Sequence, residues 1–125
     1  MEKIESNEKK FDLEERLIDF AVWIIELTEN LPNTKAGIYL GGQLLRSGIS
    51  PALNYGEAKG AESKSDFVHK MKVCLKELKE TFNNMRILHR SKIYKSEQGL
   101  LNLISECNEL ISIFVKSINT ASKSK

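Results

Sequence analysis

Apolar residues recur at helical spacing along most of the chain. In the first third, one apolar stripe repeats at a heptad-like step and a second stripe lies beside it. A single bundle core needs only one such stripe. The segment from Phe11 to Asn30 is therefore predicted to be a helix with apolar surface to spare. The first stripe comprises Leu13, Leu17, Phe20, Ile24, Leu27 and Leu31; the second comprises Ile18, Val22 and Ile25.

Two later segments carry the same periodicity and predict helices over Ser65–Arg90 and Glu97–Thr120, joined by the loop Ser91–Ser96. Ser63 or Ser65 is expected to begin the first of them. Its predicted core residues are Phe67, Met71, Cys74, Leu78, Phe82, Met85 and Leu88. Those of the second are Leu100, Leu103, Ile104, Cys107, Leu110, Ile111, Phe114 and Ile118.

The segment between Thr34 and Gly60 is unusual for a helix. It contains six of the seven glycines and Pro51, all of which disfavour a helix interior. Ser50 followed by Pro51 is typical of an N-cap and a first helical residue, so the residues alone indicate two short helices, the first capped by Thr34. Small residues here would also let another helix approach closely.

Four amphipathic helices with short connections predict an all-α, antiparallel up-down-up-down four-helix bundle over residues 11–120. Residues 1–10 and 121–125 are polar and are expected to be flexible ends.

Polar residues in the second helical segment follow one another at steps of three and four. This spacing places them on one face of a helix. If that helix is antiparallel to the next, Arg46 falls level with Glu77, and an ion pair between them is expected. The predicted polar stripe comprises Gln43, Arg46, Ser50, Asn54 and Glu57, with Glu77 as the facing acid. A structural role and a ligand-binding role are both compatible with it.

Charge is unevenly distributed although the net charge is only +2. Residues 11–31 contain six acids and one arginine, whereas residues 59–95 contain ten lysines or arginines and four acids. This asymmetry indicates either mutual packing of the two segments or a polyanionic partner. A basic ridge at helical spacing is the candidate phosphate-binding surface, with solvated lysines as the alternative. Its residues are Lys72, Lys76, Lys79, Arg86 and Arg90, with Asn83 in the same row.

Other chemistry finds little support in the sequence. The motifs of P-loop, α/β-hydrolase and HExxH enzymes are absent, so an enzyme is not expected. No cofactor is expected either. A metal site is not expected, because metal centres of helix bundles use two Glu-x-x-His motifs and this chain has only the related Asp66-Phe-Val-His69, once. Cys74 and Cys107 fall inside apolar patterns and are expected to be core thiols. No apolar run is long enough to span a membrane, and the charged N-terminus is unlike a secretory signal, which favours the cytoplasm.

Five stretches of the chain occur in a recognisable order and at recognisable distances. They are Gln43–Pro51, Asn54–Ala58, Ala61–Lys70, Leu75–Thr81 and Asn108–Phe114. Together they resemble the small four-helix-bundle proteins encoded in intervening sequences of bacterial 23S ribosomal RNA genes. The resemblance runs from about Asp19 to Ala121, with departures at Gly56 and at residues 83–85.

The resemblance implies one long second helix over Lys35–Lys59, kinked near Ser47–Pro51, in place of two short ones. It also implies a homo-oligomer, with a ring of five as the expected assembly. The family's genomic setting, together with the basic ridge, leads us to expect a non-enzymatic, nucleic-acid-associated protein that binds structured RNA or DNA. The alternative is a scaffold or protein-interaction module with no nucleic-acid role. Fold alone does not choose between them.

Overall fold

The computed structural model describes residues 12–123 and consists of four helices, with no strand among those residues. They are α1 (Leu13–Glu29), α2 (Lys35–Lys59), α3 (Lys64–Ser91) and α4 (Glu97–Lys123). The all-α fold is confirmed, and helix boundaries agree with the prediction to within a few residues. Helix α4 continues past Thr120 because no proline or glycine stops it and Ala121 is half-buried. The predicted flexible segment 1–10 and residues 124–125 lie outside the described residues.

Side-chain caps begin all four helices. Each cap oxygen accepts a hydrogen bond from a backbone N–H in the first turn, which satisfies one of the donors that a helix start leaves unpaired. Thr34 caps α2 as predicted, and Ser63 rather than Ser65 caps α3. The bonds are Glu15 N to Asp12 Oδ1 at 3.2 Å, Gly37 N to Thr34 Oγ1 at 3.1 Å, Asp66 N to Ser63 Oγ at 3.0 Å and Gly99 N to Ser96 Oγ at 3.3 Å.

Helix α2 runs without interruption through Pro51, so the single-helix interpretation is confirmed over two short helices. Proline removes one backbone donor from the helix interior, which is unfavourable. Here Pro51 is buried against α3, and the thiol of Cys74 donates to the Pro51 carbonyl over 3.5 Å. Burial in this position offsets part of the lost helical hydrogen bonding.

Helices α2 and α3 run antiparallel, as the side-chain contacts between them show. Between α2 and α3, Leu40 meets Asn84, Ser47 meets Thr81, and Glu57 meets Lys70, so one number rises as the other falls. Helix α1 packs against α2 and α4, and α3 also packs against α2 and α4. Within the described residues, α1 and α3 are therefore diagonal rather than adjacent, as in an up-down-up-down bundle.

The core contains the predicted stripes. From α1 it takes Leu17, Phe20, Ile24 and Leu27, and it excludes the second stripe of that helix. The side chains of Ile18, Val22 and Ile25 remain 42%, 45% and 42% exposed. The remaining predicted core residues that are buried are Met71, Cys74, Leu78, Met85, Leu88, Leu100, Cys107, Leu110, Phe114 and Ile118.

Glycines of α2 allow close packing inside the chain. A Cβ atom on Gly48 would lie 2.8 Å from Ile24, and one on Gly37 would overlap the Pro32 carbonyl oxygen. Gly42 faces open space, because a Cβ atom added there would have no described neighbour within 4 Å. At Gly48 the helix that approaches closely is therefore the chain's own α1. Gly48 is not available for a close contact with another subunit.

Candidate functional site

Arg46 is the centre of the polar stripe on α2. Its guanidinium donates to both carboxylate oxygens of Glu77, at 2.9 and 3.3 Å, and to Gln43 Oε1 at 3.2 Å. It also pairs with Glu80, one turn further along α3. The predicted ion pair between Arg46 and Glu77 is present and lies within one chain.

The ion pair between Arg46 and Glu77 is only partly buried. The Arg46 side chain is 50% exposed, whereas that of Glu77 is 12% exposed. Water therefore screens the guanidinium, and the pair belongs with surface ion pairs of about 0–1 kcal/mol rather than with buried ones. The expected cost of about 3–5 kcal/mol for removing one partner of a buried pair does not apply to Arg46.

The other members of the stripe also have partners. Asn54 Nδ2 donates to Ser50 Oγ at 2.8 Å and to the Ser50 carbonyl at 3.1 Å. Glu57 accepts from Lys70 Nζ at 3.0 Å, and this hydrogen bond raises the pKa of Lys70. Since every stripe residue contacts its own chain, the arrangement fits a structural role along the α2–α3 groove.

Beneath the stripe lies a buried polar layer that sequence patterns did not single out. The Thr81 hydroxyl donates to Ser47 Oγ over 2.8 Å, and both side chains are fully buried. Asn84 Nδ2 donates to the Leu40 carbonyl at 3.1 Å, while its Oδ1 atom is buried with no partner among the described residues. Serine and threonine on a helix resemble surface residues in a sequence, so only the packing of α2 on α3 shows that they are internal.

The basic ridge lies on the outward side of α3. Lys72, Lys76, Lys79, Arg86 and Arg90 are all exposed, as is Asn83 in the same row. Arg86 bonds to Asn83 Oδ1 at 3.2 Å and lies 5.7 Å from the Phe82 ring centroid, a cation–π distance. The other four cations have no hydrogen bond or ion pair with any residue between 12 and 123.

The acidic helix α1 does not neutralise this ridge. Because α1 and α3 are diagonal in the bundle, mutual packing of the two helices within one chain is excluded. Glu14 of α1 instead pairs with Lys59 of α2 at 3.0 Å. The charge asymmetry of the sequence is therefore displayed on opposite sides of the molecule.

A second arginine, Arg16, forms an ion pair that the sequence did not suggest. It joins α1 to α4 by bonds of 3.1 and 2.7 Å to Glu106 and by a bond of 3.2 Å to Glu109. The Arg16 and Glu106 side chains are only 15% and 20% exposed. Hydrogen bonding to Glu106 raises the pKa of Arg16, and these bonds hold the two helices together.

Two clefts meet at the loop between α3 and α4. The larger, of about 410 Å³, lies between α1, this loop and α4; the smaller, of about 240 Å³, lies over the end of α3. Tyr94 lines both. The larger is lined by Trp23, Glu26, Leu27, Asn30, Tyr94, Gly99, Asn102 and Leu103, and the smaller by His89, Lys92, Tyr94, Lys95, Glu97 and Leu100.

Remaining candidate chemistry is sparse. Cys74 and Cys107 are buried free thiols, as predicted, and burial raises the pKa of each to about 12. His69 is exposed, and half-buried His89 lies 3.1 Å from Glu97. Residues 12–123 contain no group of three or more histidine, cysteine, aspartate or glutamate side chains that could hold a metal ion. None of the helices described is both long and apolar enough to cross a membrane.

Comparison with known proteins agrees with the fold. A protein of unknown function from the S23 ribosomal protein family of Bacteroides thetaiotaomicron VPI-5482 has a similar crystal structure, with a TM-score of 0.78 and 28% sequence identity. The similarity covers 85% of this chain and 97% of that one. No curated protein matches the sequence. The family model of the 23S rRNA-intervening sequence protein matches residues 9–116, and the chain therefore belongs to that family.

Proposed function

We propose that this protein is a non-enzymatic, nucleic-acid-associated bundle whose basic ridge binds the phosphates of structured RNA or DNA. The observation that carries the proposal is the row of five exposed cations on α3, four of which have no partner among residues 12–123. The family's origin in ribosomal RNA genes is an association that agrees with this proposal. The two free thiols fit the cytoplasm, which we propose as the compartment.

The shape of the ridge fits backbone contacts. At 1.5 Å per residue, the row from Lys72 to Arg90 extends over about 27 Å. Lysine and arginine in such a row supply affinity for phosphates that is independent of sequence and sensitive to salt. The Phe82 ring beside the row contacts Arg86, so base stacking on the ridge itself is not expected.

We also propose that the protein is a homo-oligomer, and a ring of five is the number that the family resemblance implies. Support comes from the exposed stripe Ile18, Val22 and Ile25 on α1, and from Ile38 and Leu53 on α2, which are 63% and 64% exposed. Exposed apolar rows such as the α1 stripe are typical of protein–protein contacts. Acidic α1 and basic α3, on opposite sides, could form the complementary halves of a head-to-tail interface that closes into a ring.

Charge reversal on the ridge tests nucleic-acid binding. A variant with Lys72, Lys76, Lys79 and Arg86 changed to glutamate is expected to lose binding to structured RNA and to keep its helical circular dichroism. A control changes three exposed cations elsewhere, Lys35, Lys116 and Lys123, to glutamate. It is expected to lose much less affinity than a ridge variant with only the three lysines reversed. Equal losses in the two triple variants, or binding retained after ridge reversal, would contradict the proposal.

The scaffold function is the alternative, and the apolar surface of α1 is the observation in its favour. Light scattering on the wild type and on a Val22→Glu, Ile25→Glu variant tests the self-contact. The wild type is expected to have a multiple of the chain mass and the variant a lower mass. A wild type that is monomeric at micromolar concentrations contradicts oligomerisation. An oligomer that binds no polyanion favours the scaffold.

A further inference from the structure

We infer that the larger cleft at the α3–α4 loop binds one unpaired guanine nucleotide, with its base in the cleft and its phosphate on the adjoining lysines. This inference deepens the proposed function. It rests on that function where the nucleotide belongs to a single strand of RNA. Free guanosine monophosphate has the same chemistry and is the other source.

Aromatic side chains supply the first argument. Trp23 on α1 and Tyr94 in the loop are far apart in the sequence but line one cleft. Trp23 is 44% exposed even though it is the largest apolar side chain of the protein, so the bundle core does not use much of its ring. Proteins recognise unpaired bases by stacking them on such rings. A volume of about 410 Å³ also lies within the range of small-ligand sites.

Polar groups on the wall supply the second argument. Glu26 lines the cleft, and its carboxylate can accept the two adjacent N–H donors on the Watson–Crick edge of guanine. Asn102 lines it as well; its Oδ1 accepts from Gln98 at 2.9 Å, which leaves its amide hydrogens available for the guanine oxygen. Adenine presents one donor and one acceptor on this edge, so a carboxylate discriminates against it.

Charge supplies the third argument. Lys92 and Lys95 line the smaller cleft, which shares Tyr94 with the larger one. A base beside Tyr94 would thus have its own phosphate near two lysines. Neither lysine has an ion-pair partner among residues 12–123. The same loop follows Arg90, where the basic ridge ends, so a nucleic acid on the ridge could place an unpaired end in the cleft.

The single tryptophan makes the inference directly measurable, because Trp23 is both the proposed stacking surface and the only indole fluorophore. Guanosine monophosphate added to the full-length protein is expected to quench the Trp23 emission saturably. The titration should give a higher affinity for guanosine monophosphate than for adenosine monophosphate. N-acetyltryptophanamide under the same conditions corrects for absorption and collisional quenching. A uridine hexamer with one guanosine forms the second arm. Tighter binding of the hexamer identifies a single strand as the source, and equal or weaker binding identifies the free nucleotide.

Variants separate the cleft from the rest of the surface. Tyr94→Ala is expected to weaken binding about tenfold or more, whereas Tyr39→Ala, an exposed tyrosine on α2, leaves it unchanged. Glu26→Gln should remove the preference for guanine over adenine. Lys92→Glu with Lys95→Glu should weaken binding several-fold more than Lys116→Glu does. Circular dichroism checks that each variant is folded.

The outcomes separate this inference from the proposed function. Quenching by guanosine monophosphate with no binding of structured RNA supports the cleft and contradicts the ridge. Binding of structured RNA with no saturable quenching by nucleotide or hexamer overturns the cleft and leaves the ridge intact. Equal nucleotide affinities of the wild type and Tyr94→Ala also overturn the cleft inference. A blue-shifted, unquenchable Trp23 emission in the free protein overturns it as well, since another copy of the chain would then cover the cleft.

Discussion

The polar stripe of α2 and the basic ridge of α3 are both rows of polar side chains at helical spacing, but they differ in their partners. Every stripe residue bonds within the chain. Arg46 has three partners, Gln43, Glu77 and Glu80. On the ridge, four of five cations have no partner among residues 12–123. The stripe borders the groove between two helices, whereas the ridge faces outward. A polar row on a helix is therefore a candidate binding surface only when the neighbouring helix does not bond to it.

The largest expected effect concerns salt. If five ridge cations contact phosphates, raising monovalent salt from about 50 to about 200 mM should lower RNA affinity by roughly 10²- to 10³-fold. Single ridge variants such as Lys76→Ala, which retain binding, should show a shallower dependence, because fewer counterions are released. Titrations by fluorescence anisotropy at several salt concentrations give the slope. A slope near zero for the wild type would refute phosphate contact as the source of affinity.

The next effect separates two partnered arginines by their exposure. Arg16→Ala is expected to lower the free energy of unfolding by about 2–3 kcal/mol, because it leaves Glu106 largely buried without a partner. Arg46→Ala should cost less than about 1 kcal/mol, because its guanidinium is half exposed. Urea denaturation at one protein concentration measures both. Equal losses, or a larger loss at Arg46, would show that the stripe contributes more to stability than its exposure indicates.

Two glycines of α2 extend the comparison to the backbone. Gly48→Ala should destabilise the fold by about 1–3 kcal/mol, because the new methyl group would overlap Ile24. Gly42→Ala should stabilise it by about 0.5–1 kcal/mol, because the position is helical and open. Thermal and urea unfolding of this matched pair give the two signs. If Gly42→Ala were destabilising and also lowered the oligomer mass, Gly42 would belong to a subunit contact.

The smallest effect is expected on the ridge itself. Lys76→Ala and Lys79→Ala should each change the free energy of unfolding by less than about 0.5 kcal/mol, because the lysines have no polar partner among the residues that the structure describes. Each should nevertheless reduce the salt slope for RNA binding by about one unit. A stability loss above about 1 kcal/mol would show that these lysines stabilise the fold and would contradict their assignment to the binding surface.

Prediction from sequence succeeded where a residue's role depends on its own helix. The core stripes are readable because apolar spacing matches the helical repeat, and the second stripe on α1, which exceeds what one core seam needs, is exposed. The level placement of Arg46 and Glu77 followed from an antiparallel register, and the ion pair is present. Continuity of α2 through Pro51 was implied by family resemblance, since local propensities alone allowed two short helices.

Tertiary structure decided everything that depends on which helices are neighbours. The diagonal placement of α1 and α3 removes mutual packing as the reason for their opposite charges. The pairing of Arg16 with Glu106, the burial of Ser47 with Thr81, and the meeting of Trp23 with Tyr94 join residues that are distant in the sequence. A sequence contains the period of each helix, because that depends on local backbone geometry. It does not display the order of helices around the core, because that order results from the packing of all four faces at once.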